Sequence, residues 1–485
     1  MITKRTKTIC IITAILVMTV GILAFIVTRA IGSENDMSKC DNFLSESLKQ
    51  EISSYGPIVH TIVKAIVEND GKGTTYKELS TFIDTFGNRY AGSENLENAI
   101  DYMLNRSIIK NLENVHTEDV PIQTWIRGQE SATLLQPRRQ NLPMLGLGLS
   151  IGTPPEGITA EVLVVTSFDE LESRKSEALG KIVLFVPEYI SYGKTVIYRS
   201  KAASRAAKHG AVAALIRSIT PFSIRTPHTG MQSYDANVTK IPVAALTVED
   251  AHMLKRISDR GQKVVVNLKM EAHFGDIKTS RNTIAELRGS EKPEKIVIIS
   301  GHLDSWDVGQ GAMDDGGGAF ISWNALVMLK ALNLRPRRTI RTILWTAEEV
   351  GYVGAKQYYK DHKNETQNWN FIMESDEGTF TPYGLNYVSG NRGACILEEV
   401  VKLFAPLNAT SSLRSDYVGS DITLWLMDGI PGASLLQRNE NYFWFHHSPG
   451  DTMDVEDPVS LDKNTALWAA TAYILADLKE DFPRN

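Results

Sequence analysis

Five acid and imidazole residues in the C-terminal half carry side chains that can bind a divalent metal: His302, Asp314, Glu349, Asp376 and His447. They lie in the strings S-G-H-L-D-S (300–305), M-D-D-G-G-G-A (313–319), T-A-E-E-V-G (346–351), M-E-S-D-E-G (373–378) and H-H-S-P-G-D-T (446–452). Imidazole and carboxylate donors suit zinc. Two zinc ions sharing such a set would activate water for attack on a carbonyl, which points to a peptidase. No single string carries that reading; their order and their placement at predicted strand edges do.

His302 stands two residues beyond a predicted strand, Ile296–Ser300. Ligands of open α/β sheets gather at the carboxyl ends of strands. Asp304, two residues on, suits a partner that orients the imidazole. Asp314 and Asp315 are neighbouring carboxylates before three glycines, and both features cost stability. A cation on Asp314 would offset the repulsion, and close backbone approach would use the glycines. The functional reading of Asp314 is a carboxylate bridging two metals; Asp315 suits a helix N-cap. Glu348 and Glu349 follow a predicted strand, where consecutive side chains diverge, so one can bind metal while the other serves as general base. Asp376 has Glu374 and Glu377 as competitors. His446 and His447 cannot both face a site if their segment is extended, and the residues leave that choice open. The seven other histidines read as surface or capping residues.

The elements that position these groups follow from periodicity. Apolar residues recur at helical spacing from about Asp41 to Asn114, with Ser93 or Asn95 as a cap, and Val115–Trp125 reads as a strand. A Pro/Gly-rich stretch, Gln136–Gly157, predicts a domain junction. Beyond it a small α/β unit is expected over 158–272, without a cluster of candidate ligands. From about Ser280, Asn282–Leu287 and Lys295–Ser300 read as a hairpin. Helix Ala319–Leu332, strand Thr339–Trp345, helix Gly351–Tyr359 and strand Trp369–Glu374 then alternate. Alternation of this kind predicts a mixed, mostly parallel doubly wound sheet with helices on both faces.

Composition is that of a folded protein, 43% hydrophobic and 22% charged over 485 residues. The net charge of −6 falls to −10 without the four cations of residues 1–30, which argues against a nucleic-acid partner. Lys4, Arg5 and Lys7 precede an apolar run, Ile9–Val27. Residues 1–30 therefore read as a signal peptide or a signal-anchor, with a membrane role only if the segment is retained. Sequons at Asn105, Asn237, Asn364 and Asn408 agree with a secretory route. Outside the leader only Cys40 and Cys395 remain, too few for a disulfide framework. Stability is therefore expected to come from the core, and pairing of these two is left open.

The order His–Asp–Glu-Glu–Asp–His resembles the co-catalytic zinc exopeptidases, which include bacterial leucyl aminopeptidases and glutamate carboxypeptidases. The resemblance runs from about Asn88 to the end. It implies that His302 and Asp376 bind one zinc, that Glu349 and His447 bind the other, and that Asp314 bridges them through a residue whose bond to Asp315 is cis. It makes Asp304 the orienting residue and Glu348 the general base. His447 is selected over His446 because relatives place an acid and Thr four positions later, as Asp451-Thr452 here. Ser420 and Asp421 become substrate-binding residues, in a segment with Ile422 where many members have His. Unit 158–272 looks like a protease-associated insert, a lid on catalytic parts 41–157 and 273–485. Short peptide substrates and a homodimer are also implied. The rival readings are a glutaminyl-cyclase-like acyltransferase with one zinc and a receptor-like protein without catalysis.

Overall fold

The computed structural model describes residue 40 and residues 42–484; the apolar run 9–27 lies outside them. Among the described residues no helix is long and apolar enough to cross a membrane. Two eight-stranded sheets organise the chain. In spatial order the first comprises 113–126, 273–287, 338–345, 292–302, 369–374, 432–437, 382–388 and 411–414. Its centre is parallel: Lys292–His302 pairs in parallel with both Arg338–Trp345 and Trp369–Glu374, and the latter with Gly432–Gln437. These buried strands are rich in Ile and Leu, as two covered faces require.

The expected hairpin does not form. Arg338–Trp345 inserts between His273–Leu287 and Lys292–His302, antiparallel to the first and parallel to the second. Local periodicity finds strands but cannot choose their partners, and here a strand some 40 residues away in sequence takes the central place.

Helices Gly317–Ala331 and Pro458–Asp477 form the centre of one covering layer. Sixteen of the 20 residues of the second are buried, so it has no solvent face to reveal as amphipathic. Trp323 and Trp468 bury their rings and donate their indole N–H groups to Ser107 and Ser322. Ser93 caps helix Glu94–Ile109 by accepting from Leu96 N, whereas Asn95 donates to the carbonyls of Phe86 and Asn88.

The second sheet has a parallel centre of Ile158–Val165, Ile182–Phe185, Ala213–Arg217 and Val243–Leu246. Its flanks begin earlier than the expected boundary at 158. Glu130–Gln136, Gln140–Leu142 and Met144–Gly146 all pair within it, so the Pro/Gly-rich stretch is sheet edge rather than a junction. Prolines and glycines are tolerated at such edges.

Cys40 and Cys395 form a disulfide across 355 residues, with Cα atoms 5.4 Å apart. The core therefore does not stand alone. A loop of that length is the kind whose closure most restricts the unfolded chain.

Candidate metal centre

The carboxyl ends of three of the four parallel strands of the first sheet deliver His302, Glu349 and Asp376, while Asp314 and His447 come from the segments that follow Gly311 and Phe445. Lys292–His302 ends on His302, which is buried with its Nε2 free of any hydrogen bond. That atom lies 3.5 Å from Asp314 Oδ1 and 3.4 Å from Asp376 Oδ1. The other oxygen of Asp314, Oδ2, lies 3.3 Å from His447 Nε2, which is itself 3.0 Å from Glu349 Oε2. Asp314 thus offers one oxygen to each of two donor sets. Its Oδ2 and Glu349 Oε1 are buried without partners. Orphaned polar atoms in a protein interior cost free energy unless something else satisfies them, so the residues present fit a cationic group.

Charge makes the same demand. Burial pushes the carboxyls of Glu348 and Glu349 well above the ordinary range, and each is raised further by Asp314 and other acids alongside. Burial also raises Asp314, with Asp376 adding to it. His302 resists charging because it is buried, yet Asp376, Asp304 and Asp314 together hold it well above its usual value. Burial, His446 and Arg199 instead push His447 well below, leaving a neutral ring able to ligate. Cations among these acids would return them to their ionised forms.

Local backbone explains why these strings fold as they do. The Asp314–Asp315 bond is cis. Asp315 accepts from Gly318 N in the first turn of helix Gly317–Ala331 and from His302 N, tying the helix to the strand end, while the N-cap position itself is Gly316 rather than the expected Asp315. A Cβ on Gly318 would lie 1.8 Å from the Ser375 carbonyl, so the glycine run serves close approach. Ala347, at φ +58°, turns the chain just before the two glutamates, a conformation that costs a non-glycine residue energy and recurs at functional sites.

Several supports differ from expectation. Asp304 reaches His302 Nδ1 through its backbone carbonyl at 2.9 Å. Its buried carboxylate accepts instead from Glu348 N and Glu349 N, at 3.0 and 3.2 Å, fixing the glutamate turn. His446 and His447 both reach the site because the segment is not extended. His447 has φ +59°, the two rings stack at 3.6 Å, and His446 Nε2 comes within 3.6 Å of Asp314 Oδ2. Only His447 also meets Glu349. Ser420 lines the cleft but donates to Asp376 Oδ2 at 2.7 Å, holding a metal-site carboxylate. Asp421 is 2% exposed and is not among the residues that line the cleft, and both its carboxylate oxygens are buried without partners.

Residues outside the predicted ligand set hold the site together. Asp451 accepts from the N–H groups of Ala312, Met313 and Asp314, tying the His447 segment to the bridging loop, and burial raises it to about 7. Buried Arg89 donates to the carbonyls of Leu303, Gln310 and Gly311. Glu374, a competitor for the ligand role, accepts from Ser420 N and Asp421 N and so shapes the cleft wall. His228 is buried rather than a surface histidine. Burial holds it neutral, at about 4, and its Nδ1 donates to the His446 carbonyl at 2.7 Å. Thr229 N donates to the next carbonyl, that of His447, at 2.9 Å. Stacked pairs Tyr192–Phe443 and Phe222–Trp444 complete this grip of the second unit on segment 443–447. Asp451 and Glu374 lie in strings read from the sequence, but their roles, like those of Arg89 and His228, come from contacts with distant residues.

Above the donors opens a cleft of about 300 Å³, walled by Tyr192, Arg199 and Met231 from the second unit and by Tyr352, Tyr417 and Ser420 from the first. A larger recess of about 710 Å³ lies elsewhere, along Glu188, Arg217 and His252 of the second unit, away from every donor.

Residues 282–472, which span the whole donor set, match the model of peptidase family M28. The chain is 52% identical to carboxypeptidase Q of Homo sapiens over 450 residues, covering 92% of this chain and 95% of that one. The chain belongs to peptidase family M28. A second M28 member, the peptidase precursor from Shewanella amazonensis, is similar in structure at TM-score 0.86 and 32% identity, covering 90% of this chain and 99% of that one. The zinc aminopeptidase of Bacillus subtilis shares the M28 fold at TM-score 0.64 and 20% identity, covering 85% and 98%.

Proposed function

We propose that the chain is a zinc-dependent metallo-exopeptidase that hydrolyses dipeptides or short peptides, with two zinc ions sharing Asp314. The observation that carries this reading is the division of Asp314, with Oδ1 toward His302 and Asp376 and Oδ2 toward His447 and Glu349. Zinc bound there would supply Lewis acidity, lowering the pKa of water and polarising the scissile carbonyl. The protein's own groups do the rest. Glu348, its backbone held by Asp304, faces the same floor without belonging to either donor set, its Oε2 3.9 Å from His302 Nε2. It is placed to take a proton from water and return it to the departing amine. The cleft of about 300 Å³ suits a short peptide.

The names of the relatives agree: carboxypeptidase Q over most of the chain and zinc aminopeptidase among the shared folds. The single-zinc acyltransferase reading is not favoured, because a one-metal site would leave the His447–Glu349 set and one oxygen of Asp314 without a metal ion. Dipeptide hydrolysis should vanish with a chelator and return with zinc, at two equivalents per chain by atomic absorption. Hydrolysis by fully zinc-depleted protein would overturn the reading.

A secretory route and a homodimer belong to the same reading. The disulfide fits an oxidising compartment, and Asn105, Asn237, Asn364 and Asn408 are all exposed. Glycosidase-sensitive mobility of material from the culture medium, and a mass of two chains in solution, would test them.

A further inference from the structure

The larger recess, of about 710 Å³, lies where three parallel strands of the second sheet end. Thr166 follows Ile158–Val165, Val186 and Pro187 follow Ile182–Phe185, and Arg217 closes Ala213–Arg217. Open α/β sheets take their ligands at such ends. Strand alternation sets Arg217 in line with Ala213 and Leu215, which belong to one apolar cluster with Ala251 and Leu254 of helix Val248–Asp259. An arginine thus takes the last place on a face that is otherwise apolar. It is 5% exposed and lines the recess.

This buried guanidinium meets no carboxylate. Its Nη1 donates to the Ser218 carbonyl at 2.9 Å and its Nη2 to the Thr220 carbonyl at 3.1 Å. Its Nε is buried without a partner. Among the described residues Arg217 forms no ion pair. The charge of Glu249 is felt there, but that carboxylate is held by Ser223 Oγ and Arg225 N. A guanidinium has five N–H groups, and two carbonyls leave it short of acceptors. A cation withdrawn from water without an anion is costly, and burial pushes Arg217 below its ordinary value. Lys255 and His252 of the helix line the same recess, against one acid, Glu188.

The walls narrow the class of anion. Val186, Pro187 and Pro221 are apolar, and the two prolines offer no N–H to an oxyanion. A phosphate needs donors around several oxygens, whereas a single planar fork matches a carboxylate. The volume far exceeds that of one ion, and Glu188 opposes a second negative charge. We propose that this recess binds a small organic monocarboxylate, with its charge on Arg217 and its apolar body against Val186, Pro187 and the Tyr189 ring. Glu188 suits the ammonium of a free amino acid, and a plain carboxylic acid shares the same anionic end. The site stands apart from the metal centre and does not depend on its chemistry.

Calorimetric titration of the zinc-loaded full chain tests this with 3-phenylpropionate and phenylalanine, against 3-phenylpropionamide and inorganic phosphate. At least one acid should bind with a Kd of about 1 mM or tighter, the range of a fragment-sized ligand. Tighter binding of phenylalanine would mark the amino acid as the source of the carboxylate, and tighter binding of 3-phenylpropionate the plain acid. The amide and phosphate should bind at least about 10-fold more weakly. Arg217→Gln should lose at least about 10-fold in affinity for the acid, the scale of a charge-assisted contact. Its hydrolysis of dipeptides should stay within about twofold of wild type. Lys255, paired with Asp259 at the rim, gives a variant that spares the buried fork, and Lys255→Glu should weaken binding about threefold. Absence of binding by both acids, phosphate bound as tightly, or undiminished affinity in either variant would overturn the proposal. So would an acid that competes with the dipeptide and binds Arg217→Gln as it binds wild type, since its seat would then be the metal centre.

Discussion

Both units place parallel strands side by side with their carboxyl ends at an open edge, yet only one edge carries chemistry. In the first sheet those ends bear His302, the glutamate pair and Asp376, with His302 Nε2 and Glu349 Oε1 buried without partners. In the second the corresponding ends bear Glu188 and Arg217 beside an open recess, with no grouping of metal donors. The second unit acts through its loops and one helix, gripping the segment 443–447 and lending Arg199 to the cleft. Strand-end geometry makes a site available. The free energy of buried, uncompensated donors is what commits the first of the two edges to metal.

The sharpest break in this comparison is Glu348→Gln. It removes the proposed proton acceptor and leaves every donor in place, so zinc content should hold while kcat falls by about 10³-fold, within the range for general-base removal. A variant that keeps its turnover would return the first edge to a passive binding surface.

Removing the disulfide tests whether the site-bearing unit needs outside support. Cys395→Ser should lower stability by about 3 kcal/mol in denaturant melts, with zinc-site activity unchanged at 25 °C. An unchanged midpoint would mean that the core suffices.

Next in size is the grip itself. His228→Ala deletes the donor to the His446 carbonyl and should weaken zinc affinity about 10-fold, as outer partners of metal ligands do. Competition with a chromophoric chelator would read it. Unaltered affinity would make the second unit a cover only.

The smallest effect is a pH slope. Burial raises Glu456 to about 8, so the folded chain keeps a proton that the unfolded chain releases at about 4.3. Folded protein binds the extra proton between those values, so stability from this group is greatest below about 4 and declines as pH rises toward 8. Glu456→Gln should remove the decline, raising Tm by a few degrees at pH 8 and leaving it unchanged at pH 4.5. Equal Tm shifts at both pH values would contradict the assignment.

How legible the molecule was in its sequence follows the same division. His302, Asp314, Glu349, Asp376 and His447 were readable because each sits in a short string beside a strand, and the fold brings all five together. The helices around Leu48, Leu79 and Ile100 were readable from their spacing. The unreadable parts are those that depend on distant residues. Arg338–Trp345 displaced an expected hairpin, and Glu130–Gln136 joined the second sheet across a proline-rich stretch. His228 reached segment 443–447 from more than 200 residues away. The Asp304 carboxylate chose Glu348 N and Glu349 N over the imidazole, a choice that backbone geometry makes and residue type does not.

The bond between Cys40 and Cys395 has one more consequence, for a chain that has been cut. Every peptide bond from 40 to 395 lies within the covalent ring it closes, including those around His302, Asp314, Glu349 and Asp376. A single nick in an exposed loop there opens the ring without releasing a fragment. The severed pieces stay tethered, and only a reducing agent would reveal the damage on a gel. The long-range link thus keeps both pieces of a singly nicked chain covalently joined, whereas a second cut within the ring would free the segment between the two.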